Sequence, residues 1–152
     1  MIKIICLIVL CGCFILIGRG VKAYYFKRKN LYVQVLKLIN SLEREITFLK
    51  TDIKKICLTN RFGEELDAVI NNYFNNNNVQ VDYLNEVQNK TLSEFFASLG
   101  NQNVQGEVYN LQFYKSKMQD QLDLMTKDFE TKGVLSFKLI SLFGVLLCIM
   151  FV

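Results

Sequence analysis

Proline, tryptophan and histidine are all absent from this chain of 152 residues, and glycine is sparse, at eight. Without proline, nothing along the chain removes a backbone donor and forces a helix to break, so long helices are permitted. Without histidine, the chain lacks the commonest general base and the commonest metal ligand. Negative charge is scarce near the ends, and the formal net charge of +4 is unevenly placed. Between Lys27 and Lys132 there are fourteen Lys/Arg and fourteen Asp/Glu, so the middle of the chain is neutral. A neutral middle leaves no basic footprint for nucleic acid. The excess comes from Lys3, Arg19, Lys22 and Lys138, in or beside apolar segments. Four of the five cysteines (Cys6, Cys11, Cys13 and Cys148) also lie in those segments. Cys57 stands alone in the polar middle, which rules out a disulfide framework there and suits a reducing compartment. Cys11-Gly12-Cys13 has no further ligand nearby and reads as small packing residues rather than a metal pair.

What is present in quantity is apolar sequence at both ends. Residues 4–17 carry no charge, and residues 134–152 carry only Lys138. A bilayer core about 30 Å thick needs about 20 helical residues. The first segment reaches that length by extending to Phe26, with Arg19 and Lys22 snorkelling toward the headgroups. We therefore expect a transmembrane anchor over residues 1–26, a cytoplasmic helical domain over 27–133, and a second anchor over 134–152 with no domain after it. Lys27, Arg28 and Lys29 follow the first segment and Lys132 precedes the second. The positive-inside rule then places the middle in the cytoplasm and both termini outside the cytoplasm. A cleavable signal peptide is disfavoured because the charges follow the apolar run and no small-residue cleavage site is visible. Leu10-Cys11-Gly12-Cys13 faintly resembles a lipoprotein box, but an apolar Phe-Ile-Leu-Ile follows it instead of a polar tether.

The middle reads as all-α. Leu31, Val35, Leu38, Leu42, Ile46, Leu49, Ile53 and Ile56 recur at three- and four-residue steps, a helical stripe. Val104, Val108, Leu111, Met118, Leu122, Met125 and Phe129 form a second. Two such stripes, each running into an anchor, predict an antiparallel helical bundle: a long hairpin with shorter helices at its tip. Glu64, Leu66, Val69, Ile70, Tyr73 and Phe74 predict one short helix, followed by an Asn-rich loop from Asn75 to Asn78. Tyr83, Leu84 and Val87 share another face. Thr91-Leu92-Ser93-Glu94 has the pattern of a capping box, which would start a helix ending at Gly100. Asn103 is expected to cap the last long helix.

No catalytic constellation emerges. The groups Glu43/Glu45/Asp52 and Glu64/Glu65/Asp67 read as solvated helix faces rather than paired acids. Phe95, Phe96, Tyr109, Phe113 and Tyr114 read mainly as core; not all of them can face inward, so some are expected to form a partner surface. No cofactor, metal or small-molecule substrate is expected, and the chain does not read as an enzyme.

The order of motifs resembles that of the stage III sporulation protein AB family of endospore-forming bacteria. Leu42-Glu43-Arg44-Glu45-Ile46-Thr47-Phe48 is similar to that family's L-E-x-E-I-x-[YF] segment. Phe96-Ala97-Ser98-Leu99-Gly100 followed by Asn103-Val104-Gln105-Gly106-Glu107 resembles its F-x-x-L-G-x-x-D-x-x-[GDE]-Q element. Lys132-Gly133-Val134-Leu135 and Leu142-Phe143-Gly144 resemble its closing K-G-x-L…L-G-x-x-x-G run. Asp52 stands where the family has proline, Asn103 where it has the capping Asp, and Glu107 where Gln is usual.

The resemblance implies a non-enzymatic scaffold of the channel apparatus between mother cell and forespore. Its soluble part would be similar to the cytoplasmic domain of type II secretion and type IV pilus platform proteins. The implied partners are a secretion-type ATPase, stage III sporulation protein AA, and other sporulation channel proteins. Glu43, Arg44, Glu45, Asn101, Gln102, Gln105 and Glu107 are the first candidates for partner contact. A competing reading is an unrelated two-anchor membrane protein that self-associates through a coiled-coil-like hairpin.

Overall fold

The computed structural model describes residues 2–49, 53–76 and 79–150. Every regular element among them is helical: α1 Ile2–Leu49, α2 Ile53–Thr59, α3 Glu64–Asn76, α4 Glu86–Ser98, α5 Val104–Asp128, a π-helical turn Phe129–Val134, and α6 Leu135–Met150. The all-α expectation holds. The chain divides into two units. One comprises Met1–Lys29 with Leu124–Val152, and the other Asn30–Asp123.

In the unit Asn30–Asp123, the first stripe is the core. Leu31, Val35, Leu38, Leu42 and Ile46 are all buried, and Tyr32, Gln34 and Ile39 join them. From α5, Leu111, Tyr114 and Met118 are buried. Val104 and Leu122, expected on the same seam, are exposed and half-buried respectively. Val104 is the first residue of α5, before the helix has turned its apolar face inward. Side-chain bonds tie α1 to α5 in opposed order: the Tyr32 hydroxyl donates to Gln121 Oε1 at 2.6 Å, while Glu43 accepts from Gln112 and Lys115. Gln121 donates in turn to Thr91 Oγ1 at 3.4 Å, bringing α4 into the same relay. A chain of rings adds α3: Tyr73 lies 5.2 Å from Phe96, Phe96 5.3 Å from Phe95, and Phe95 5.5 Å from Tyr114. These separations suit edge-on and tilted aromatic contact.

Three local expectations are corrected. The Asn-rich stretch is helical through Asn76, since α3 continues past Phe74; Asn77 and Asn78 lie outside the described residues. α2 is described over Ile53–Thr59, and the expected continuation of the first stripe into it passes through residues 50–52, including Asp52, which lie outside the described residues. The capping box is at Asn85 and Gln88, not Thr91 and Glu94: the Gln88 amide donates to Asn85 Oδ1 at 2.8 Å, and the Asn85 amide to Gln88 Oε1 at 3.1 Å. α4 has therefore begun before Thr91, whose hydroxyl turns back to the Val87 carbonyl at 3.0 Å. Val87, expected to face inward with Leu84, is exposed for the same reason, because it sits in the first turn of α4 on its outer side.

The start of α3 is capped from a different helix. Gly63 precedes α3 with φ at 143°, and it offers no side chain to the free amides. Gln34, buried on α1, supplies the acceptor instead: its Oε1 takes the Leu66 N–H at 2.9 Å. Its Nε2 donates to Glu65 Oε2 at 3.3 Å. A Cβ on Gly63 would collide with the Gln34 amide, so the glycine also makes room for its own cap. Glu65 and burial together, burial first, push the Tyr83 phenol up to about 12.

In the unit Met1–Lys29 with Leu124–Val152, apolar side chains face outward. Val9, Leu10, Ile15, Leu16 and Ile17 on α1 are exposed, as are Leu135, Leu139, Leu142, Phe143 and Ile149 on α6. Within Val9–Thr47, α1 contains a window long and apolar enough to cross a membrane, of which 6% is buried. Glycine permits close approach inside this unit. A Cβ on Gly144 would stand 2.8 Å from Phe14 Cβ, and one on Gly133 would stand 3.2 Å from Tyr25 Cβ. Gly12 has nothing within 4 Å.

Three substitutions test these features. Gln34→Leu removes the cap and strands the Leu66 amide away from water, a loss of about 1–3 kcal/mol; it should lower the denaturation midpoint of the full chain followed by helical circular dichroism. Alanine ordinarily favours a helix over glycine by about 1 kcal/mol. Gly12→Ala should therefore leave the melting temperature equal or higher, whereas Gly144→Ala should lower it because Phe14 must move.

Candidate docking face

The geometry of α5 sorts its aromatics. Glu107, Leu111, Tyr114 and Met118 follow one another at three- and four-residue steps on the buried face. Gln105, Tyr109, Phe113 and Ser116 project from the opposite side and are all exposed, with Gln112, also exposed, at the edge nearer α1. Tyr109 is 75% exposed and Phe113 56%. One helical turn separates them, so the two aromatic side chains lie on one exposed face of α5, flanked by amides. The same spacing was readable in the sequence, since any helix that buries Leu111, Tyr114 and Met118 must turn Tyr109 and Phe113 outward. Phe95, Phe96 and Tyr114 take the core positions.

The sequence-predicted contact residues are placed unevenly. Arg44, Asn101, Gln102 and Gln105 are exposed. Asn101 Nδ2 donates to the Ala97 carbonyl at 2.7 Å and so closes the end of α4. Glu45 accepts from Asn60 Nδ2 at 3.2 Å, which fastens the segment after α2 to α1. Glu107 departs from a surface role: it is 2% exposed, and its Oε1 accepts the Gly100 N–H at 3.0 Å. Gly100 adopts φ of 81°, a conformation that suits glycine, and the carboxylate holds that turn against α5. Asn103 caps α5 as expected, with Oδ1 accepting the Gly106 N–H at 2.8 Å.

Glu43 is a fastening between helices. Its Oε1 accepts from Gln112 Nε2 at 3.2 Å, and its Oε2 pairs with Lys115 Nζ at 3.2 Å. The Gln112 hydrogen bond, more than the ammonium of Lys115, holds the carboxyl below its usual range against a smaller opposing effect of burial. Two more of the acids considered for chemistry are also engaged: Asp67 Oδ1 accepts the Phe62 N–H at 3.1 Å, and Glu65 accepts from Asn30 and Gln34. A groove of about 810 Å³ beside these residues is lined by Cys57, Asn60, Arg61, Asp67 and Asn71, among others. Among the described residues, no three His, Cys, Asp or Glu side chains cluster to hold a metal ion.

The membrane-flanking candidates belong to the other unit. Lys27 is exposed. The Arg28 guanidinium lies 5.7 Å from the Tyr24 ring, and Lys29 Nζ lies 5.4 Å from Phe129. Lys132 pairs with Asp128 at 2.8 Å, and this hydrogen bond raises its ammonium above the ordinary range.

The sign of a pH effect follows for Glu43. A carboxyl lowered in the folded state stabilises above its unfolded value, and the contribution is lost as pH falls through the folded one. The melting temperature of the full chain should fall between about pH 5 and pH 3, and Glu43→Gln should make that fall shallower. An identical slope in the variant would show that the Gln112 and Lys115 contacts do not persist in solution. Comparison with protein-family models, with curated proteins and with solved structures gives no match.

Proposed function

We propose that this chain is a non-enzymatic membrane platform whose helical middle docks a secretion-type ATPase at the cytoplasmic face. Both apolar segments act as transmembrane anchors, and α1 and α5 are the arms of an antiparallel hairpin with α2, α3 and α4 at its tip. The observation that carries the docking reading is the outward pair Tyr109 and Phe113. Aromatic side chains are enriched at the anchors of protein interfaces, and here both residues stay largely open to solvent, although the Phe113 ring also meets the edge of the core residue Tyr114 at 5.3 Å. The anchoring reading is supported by the exposed apolar side chains of the first part of α1 and of α6, which lack polar cover and suit lipid. The resemblance to stage III sporulation protein AB supplies the setting: the mother-cell side of the mother cell–forespore channel, with stage III sporulation protein AA as the ATPase and ATP hydrolysis residing in that partner. Burial of Leu31, Val35, Leu38 and Leu42 within one chain favours this reading over self-association, which would need those seams for a second copy.

The test is capture of purified stage III sporulation protein AA by the full chain in detergent. Tyr109→Ser with Phe113→Ser should weaken capture by tenfold or more, since interface anchors of this type are worth about 2 kcal/mol or more each. Capture equal to that of the unaltered chain would overturn the docking face. Orientation is checked with Ser116→Cys, because the native Cys57 is 3% exposed and poorly placed for labelling. A membrane-impermeant maleimide should leave Ser116→Cys unlabelled in intact cells.

A further inference from the structure

We propose that the unit Met1–Lys29 with Leu124–Val152 holds an anionic phospholipid in a specific groove formed by Ile15, Arg19, Lys22, Ala23, Phe26 and Phe137. The inference rests on the membrane reading above and adds a ligand to it. The groove measures about 460 Å³ and is open to the outside of the unit. Arg19 and Lys22 stand three residues apart on α1, so their head groups share one helix face. Ile15 and Phe26 extend that face by about one turn on either side, which gives the groove a cationic centre with apolar ends. Phe137 of α6 closes the opposite wall. It packs close against Gly18, where an added Cβ would stand only 3.0 Å from its ring. Lys22 Nζ lies 5.7 Å from the same ring, and its charge is thus drawn over the groove.

Charge identifies the occupant. No Asp or Glu occurs before Glu43 in the sequence, and this unit carries nine Lys/Arg against two acids, Asp128 and Glu130. Asp128 is taken by Lys132. Two cations in an apolar setting therefore need a counter-anion from outside the chain. A phospholipid phosphate fits between Arg19 and Lys22, the guanidinium able to bind it through two N–H groups. Its first chain methylenes lie along Ile15, Phe26 and Phe137. A soluble phosphate would satisfy the cations but leave those apolar walls uncovered, so the ligand is a lipid.

The experiment is native mass spectrometry of the full chain extracted from membranes containing phosphatidylglycerol and phosphatidylethanolamine. The unaltered chain should retain phosphatidylglycerol in preference to phosphatidylethanolamine. Arg19→Gln with Lys22→Gln should lower that retention about tenfold, given the worth of basic residues at an anionic surface. Lys27→Gln with Lys29→Gln removes equal charge outside the groove and should change it by less than about twofold. Equal losses in the two double variants would mean diffuse headgroup attraction and would overturn the site. Retention unaffected by Arg19→Gln with Lys22→Gln would overturn it as well. Recovery in the membrane fraction separates the two readings: a chain absent from that fraction refutes the anchoring itself, whereas one present there without selective lipid refutes the groove alone.

Discussion

The face of α1 that carries Leu31, Tyr32, Val35, Leu38, Ile39 and Leu42 is withdrawn completely from water. Burial of such side chains is worth roughly 1.5–3 kcal/mol each, so this one face supplies much of the drive to fold the unit Asn30–Asp123. A purely apolar stripe would accept several helix placements. The polar groups set into it do not: Gln34 fixes the start of α3 through the Leu66 amide, and Tyr32 fixes α5 through Gln121. Each bond is directional and each partner is costly to leave unpaired. Specificity of arrangement comes from these few polar insertions, while stability comes from the apolar residues around them.

That division explains what was legible in the sequence. Periodicity gave the helical class and most of the buried positions on α1, because Leu31, Val35, Leu38, Leu42 and Ile46 obey the 3.6-residue repeat. It missed Gln34, since a polar residue on a buried face is read by default as facing water. Its acceptor role depends on a residue far along the chain, and no local pattern records that. The capping box failed differently. Thr91-x-x-Glu94 and Asn85-x-x-Gln88 offer the same chemistry, and helix start is decided by which lies first beyond a loop held in place. Asn89 does the holding: its amide side chain accepts the Val81 N–H at 2.9 Å and donates to the Val81 and Leu84 carbonyls. Helix α4 can begin only after that loop, which puts Asn85 at its cap.

Glu107 shows the limit of reading a site from a motif. By position it belongs to an exposed-looking segment, Asn101-Gln102-Asn103-Val104-Gln105-Gly106-Glu107, and five of its six neighbours there are indeed exposed. The register of α5 turns this one carboxylate inward, onto the amide of Gly100. The same register turns Tyr109 and Phe113 outward. Core and surface on α5 are thus one decision: whatever fixes Leu111, Tyr114 and Met118 inside also fixes the two aromatics outside. They therefore have a rigid backing, and a rigid aromatic pair loses little conformational entropy when a partner covers it.

Charge is distributed on the same principle of division. The unit with exposed apolar helices holds nine Lys/Arg and two Asp/Glu, whereas Asn30–Asp123 holds nine Lys/Arg and twelve Asp/Glu. The net charge of +4 is the difference between a strongly positive unit and a mildly negative one. An anionic lipid surface attracts the first and repels the second. On α1, Lys22 and Lys29 sit beside the rings of Phe137 and Phe129, at 5.7 and 5.4 Å, and an anion gains more from pairing with such charges the less water surrounds them. On α5, by contrast, Tyr109 and Phe113 are flanked by uncharged amides. A partner for that face would be selected by shape and apolar contact, with little dependence on salt, while a lipid held between Arg19 and Lys22 would be selected by charge and weakened by salt.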